Sequence, residues 1–107
     1  MEIMWGPMKQ IRCHLCGQEK AEERVGTNEW HSVDCGNCGQ YEIGDMAWEY
    51  RFNARRPTVL TDKERGTLAS WVKKTSTKEE RRVQLVDIRR IDQIIGREPP
   101  EPGISII

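Results

Sequence analysis

Two Cys-x-x-Cys-Gly knuckles, a lean apolar content and a change to helical periodicity near residue 44 predict a small, metal-stabilised α+β fold. The expected architecture is a four-cysteine zinc ribbon of two to three short antiparallel strands over residues 1–44. Two or three helices over 45–96 pack on it, and 97–107 form a Pro-rich extended tail. The knuckles are Cys13-His14-Leu15-Cys16-Gly17 and Cys35-Gly36-Asn37-Cys38-Gly39, and they hold all four cysteines of the chain. A two-residue gap lets both sulfurs of a tight turn reach one ion. The glycine after each second cysteine permits the positive φ that turns backbone amides toward thiolates. Cys13, Cys16, Cys35 and Cys38 are therefore read as ligands of one tetrahedral Zn2+. Disulfides and free thiols are the alternatives; a redox CxxC comes singly beside a βαβ pattern, which this chain lacks.

Composition agrees with a stapled fold. Hydrophobic residues are 36% and charged residues 32% of 107, and mean hydropathy is −0.74. A core this lean benefits from a metal. Net charge is zero, with 17 basic and 17 acidic groups, which counts against a dominant attraction to nucleic acid or anionic membrane. No run approaches the ~20 apolar residues of a membrane span. Residues 1–9 lack a basic stretch followed by an apolar one, and four reduced thiols suit a reducing compartment, so a cytoplasmic location is expected.

In chain order, Ile3, Met4 and Trp5 form a short strand or frayed end closed by Gly6-Pro7, and 9–12 an extended arm into the first knuckle. Residues 19–25 are charged and read as an exposed strand or loop, ended by the turn Gly26-Thr27-Asn28. Residues 29–34 alternate, with His31 and Val33 on one side and Trp30, Ser32 and Asp34 on the other. Tyr41 and Ile43 repeat that pattern up to Gly44. Asp45 then caps a helix over 46–54, with Trp48 and Phe52 on one face, and Pro57 closes it. Thr61 to Glu64 is a capping box for a helix reaching about Lys74, with Leu68, Trp71 and Val72 on its apolar face; Gly66 inside it marks a close packing contact. Thr75-Ser76-Thr77 is read as a turn. Thr77 and Glu80 open a third helix over 78–95, stopped by Gly96 and striped by Val83, Ile88, Ile91, Ile94 and Ile95. Leu85 and Val86 fall off that stripe and ask for a second cover, which a homodimer through the 78–95 helix would supply. Three prolines and a glycine make the tail a spacer, and its terminal isoleucines suit docking on a sheet edge.

The run from Cys13 to about Lys74 resembles a zinc-ribbon module found at the head of many bacterial and phage proteins. The match lies in Val33-Asp34-Cys35-Gly36-Asn37-Cys38-Gly39-Gln40-Tyr41-Glu42-Ile43 and in Leu68-Ala69-Ser70-Trp71-Val72. In longer relatives of this type the ribbon accompanies an effector domain, commonly in defence-associated proteins. No effector domain follows here, which implies a stand-alone adaptor or a small phage or mobile-element inhibitor of a bacterial system.

Four cysteines complete the shell, so catalysis would need other residues. His14 and His31 read as structural, and no nucleophile elbow, phosphate loop or HExxH is present; the chain is expected not to be an enzyme. The expected role is a zinc-binding protein-interaction module, with Trp30, Tyr41, Trp48, Tyr50, Arg51, Arg55, Arg56, Leu85 and Val86 as partner-binding candidates beside Trp5. The alternative is nucleic-acid binding: Arg51, Arg55 and Arg56 would hold phosphates while Tyr50 and Phe52 stack on bases. In that case a helix-turn-helix at Thr75-Ser76-Thr77 would present Lys78, Arg81 and Arg82.

Overall fold

The strands β1 (Lys9–Ile11), β2 (Ala21–Val25), β3 (His31–Cys35), β4 (Gly39–Ile43) and β5 (Val83–Leu85) form one sheet in that order. A computed structural model describes residues 4–79 and 82–97 of the chain. The first four strands are antiparallel neighbours, whereas β5 runs parallel to β4, pairing Tyr41 with Val83 and Ile43 with Leu85. The remaining elements are the short helix α1 (Asp45–Ala47), which continues as a π-helical turn over Trp48–Phe52, then α2 (Asp62–Glu79) and α3 (Ile88–Ile95). The fold is thus α+β as expected, with five strands among the described residues rather than two or three. The sheet draws its last strand from the helical half.

Two-residue periodicity sorts the sheet into faces. Ala21, Val33, Cys35, Tyr41, Ile43, Val83 and Leu85 point inward, and α2 covers them with Leu68, Ala69 and Val72 while α3 adds Ile91. Each fully buried Leu or Ile in this layer contributes about 1.5–3 kcal/mol.

The capping box forms as the sequence implies. Thr61 Oγ1 accepts from the Glu64 amide at 3.1 Å, and Glu64 Oε1 accepts from the Thr61 amide at 2.9 Å. Gly96 ends α3 at φ 83°, with the Arg97 amide donating to the Asp92 carbonyl. Gly66 departs from expectation: no atom lies within 4 Å of where its Cβ would stand.

The expected 78–95 helix is not a single element. α2 runs on through Thr75-Ser76-Thr77, and the Thr77 hydroxyl donates to the Lys73 carbonyl one turn back instead of capping a new helix. Val83-Gln84-Leu85 is a strand, in–out–in, with Leu85 buried and Val86 exposed. Leu85 and Val86 fell off the helical stripe because this segment obeys a period of two. The homodimer face and the helix-turn-helix that this helix was to supply are therefore not formed as drawn. Glu80, Arg81 and the tail from residue 98 lie outside the described residues.

Candidate metal centre

The two knuckles converge at one end of the inward sheet face. The first is a loop between β1 and β2, closed by the Gly17 amide donating to the Cys13 carbonyl at 3.0 Å; the second is the β3–β4 hairpin, where the Cys38 amide donates to Cys35 Sγ at 3.4 Å. Gly17 and Gly39 take the expected positive φ, 75° and 98°. All four sulfurs lie within 4.8 Å of one another, with Cys13 to Cys38 at 4.0 Å and Cys16 to Cys35 at 3.6 Å. A tetrahedral ion with metal–thiolate bonds of ~2.3 Å has S···S edges of about 3.8 Å, so the set fits one ion. Disulfides would need sulfurs at about 2.05 Å, and these pairs are far longer.

The electrostatics favour a cation. The Cys38 thiol and then the Tyr41 hydroxyl, 3.2 Å away, hold Cys13 at about 4 against the opposing effect of burial. Sharing that proton with Cys13, together with burial, pushes Cys38 up; burial likewise raises Cys35, and burial with the Cys13 charge raises Tyr41. Four sulfurs this close do not all ionise alone, and a divalent ion relieves the conflict.

A second polar cluster stands at the other end of the same face, and sequence reasoning missed it. Glu23 on β2 and His31 on β3 share the inward face as diagonal cross-strand neighbours, since Glu23 pairs with Val33 and His31 with Val25. Glu23 Oε2 lies 2.9 Å from His31 Nδ1 and also bonds His14 Nε2, which reaches over from the first knuckle. Burial opposes ionisation of Glu23, but the bonds from His14 and His31 outweigh it and hold the carboxyl at about 2. Trp48 stacks on His31 at 3.6 Å between centroids and meets His14 edge-on at 4.9 Å, while Phe52 lies parallel to Trp48 at 5.8 Å. The available signal was the shared parity of Ala21, Glu23 and Val25, masked by the charge of the segment.

The other sequence candidates are scattered. Tyr41 is fully buried and Leu85 nearly so, whereas Trp30, Trp48 and Tyr50 are half-buried and Val86 is exposed. Arg51 is buried, its Nε and Nη2 donating to the two Asp92 carboxylate oxygens at 2.8 and 2.7 Å. Arg56 donates to Glu49 and stacks over Tyr50, and Arg55 is exposed. Arg82 donates to the Val33 carbonyl and to Asp34. Among the described residues no helix is long and apolar enough to cross a membrane. No family model matches the chain, and neither a curated protein nor a solved structure matches it.

Proposed function

We propose that this chain is a zinc-clamped, non-catalytic protein-interaction module related to the ribbon modules its knuckles resemble. The observation that carries the reading is the sulfur geometry: four thiolates at tetrahedral spacing leave no open position, so an ion there holds the fold rather than performing chemistry. Zinc suits an all-thiolate tetrahedral set. The surface for a partner is the outer edge of the sheet. β1 is an edge strand, the preceding segment pairs Trp5 with Gly26, and Met4, Trp5, Met8 and Val25 are all exposed there. The nucleic-acid alternative has less support, because two of its three arginines are spent on Asp92 and Glu49.

The test is retention of a partner from a host extract by wild type, a Trp5→Ser/Met8→Ser double variant, and chelator-treated protein, with anisotropy against single-stranded and duplex oligonucleotides alongside. The reading expects one host protein held by the wild type alone and no nucleic-acid binding at ~50 mM salt. Equal retention by the double variant, or salt-sensitive oligonucleotide binding lost in Arg55→Ala, would sink it.

A further inference from the structure

We propose that His14, Glu23 and His31 form a second divalent-metal site, of the two-histidine, one-carboxylate class. These are the only two histidines in the chain, and both aim a ring nitrogen at one carboxylate oxygen. The three donors come from three separate elements, and their ligating atoms lie within 4.8 Å of one another. Bonds of 2.0–2.2 Å in a tetrahedral arrangement place donors about 3.3 Å apart. His31 Nδ1 and Glu23 Oε2 at 2.9 Å are thus a few tenths of an ångström from a coordinating edge.

The surroundings are those of a built site. His31 and Glu23 are buried, and the hydrogen bonds to the Glu23 carboxylate among the described residues come from the imidazoles alone. A buried carboxylate facing only imidazoles has the charge and the donors that a small divalent ion satisfies. Trp48, packed on both rings, fixes their planes. The His14 side chain keeps 20% of its surface exposed against 9% for Glu23 and His31, so solvent meets the cluster on the His14 side. Its donors are separate from the thiolates: His31 stands four residues from Cys35 along β3, ~13 Å at strand rise, while His14 follows Cys13 in the first knuckle. Two nitrogens and one oxygen select a borderline first-row ion such as Zn2+, Co2+ or Fe2+ over Ca2+ or Mg2+.

The experiment loads the full chain with one zinc equivalent, then titrates Co2+ while recording absorption and tryptophan fluorescence. The expected result is one further equivalent, with d–d bands but no thiolate-to-cobalt charge transfer, and quenching of Trp48 that Trp48→Phe removes. Glu23→Gln and His14→Ala should keep the first zinc and weaken cobalt binding at least about a hundredfold, beyond the tenfold to hundredfold typical of outer-sphere changes. Saturation of wild type at one metal in total overturns the site. So does a second equivalent that survives both variants or shows thiolate bands. If either variant fails to fold, the wild-type stoichiometry and spectrum still decide.

Discussion

Gly39 follows the last cysteine of the second knuckle and carries two separable demands. Its φ of 98° is strained for any residue with a Cβ, and that Cβ would stand 2.5 Å from Ser76 Oγ and 2.9 Å from Ser76 Cβ on α2. The backbone term is about 1–2 kcal/mol. The steric term is about 1–3 kcal/mol, because α2 is anchored by buried Leu68 and Val72 and has little room to retreat. Gly39→Ala should therefore destabilise by about 2–5 kcal/mol. Gly17→Ala in the first knuckle is an internal control: φ is 75° there, but nothing lies within 4 Å of the added Cβ, so only the ~1–2 kcal/mol backbone term applies. Urea unfolding followed by circular dichroism, with zinc in excess and metal content checked, measures both. In a Ser76→Gly background the cost of Gly39→Ala should fall by about 1–3 kcal/mol, although Ser76→Gly itself weakens the helix. Equal costs for the two alanine variants, or no coupling between positions 39 and 76, would refute the packing of α2 on the second knuckle.

Three other perturbations probe the rest of the scaffold. Arg51→Ala should cost about 2–4 kcal/mol in thermal or urea unfolding, somewhat below a fully buried pair because the Asp92 side chain keeps 19% of its surface exposed, whereas Arg55→Ala should stay within ~0.5 kcal/mol. Gly66→Ala, in a helix interior with open space around it, should stabilise by about 0.5–1 kcal/mol, read as a rise in the urea midpoint. The Arg97 guanidinium holds Glu64 at about 2, below its ordinary 4.5, so that pair stabilises the fold above pH ~4.5 and its contribution disappears as pH falls toward 2. Unfolding free energy measured from pH 6 to 3 should fall more steeply for wild type than for Arg97→Ala, and parallel curves would remove the linkage.

What was legible followed from local rules. Cys-x-x-Cys-Gly spacing, the Thr61–Glu64 box and Gly96 each declare themselves within five residues, and each took the expected geometry. β5 was hidden because three apolar-edged residues fit either periodicity, and their membership is decided by a partner strand some forty residues away. Thr75-Ser76-Thr77 looks like a turn only while its hydroxyls have no other acceptor, and inside α2 Thr77 finds the Lys73 carbonyl. The basic run around Arg51 read as surface because its carboxylate partner lies 41 positions on, in α3. The His14–Glu23–His31 cluster needed both the sheet register and the knuckle fold before its members could meet.

That dependence makes the two ends of the sheet face a coupled pair. His14 lies between Cys13 and Cys16, and Arg65 fixes its carbonyl at 2.6 Å, so closing the knuckle places the imidazole over Glu23. Val33, Tyr41 and Ile43 are buried on the same inward face. An ion in the thiolate site therefore removes much of the ordering cost of the second site, and a second ion must hold the first more tightly by the same factor, since coupling free energies are reciprocal. With coupling in the usual range of about 1–3 kcal/mol, saturating Co2+ should slow chelator extraction of zinc from the cysteines, and Glu23→Gln should abolish that protection. Extraction rates indifferent to cobalt would show that the two clusters act alone.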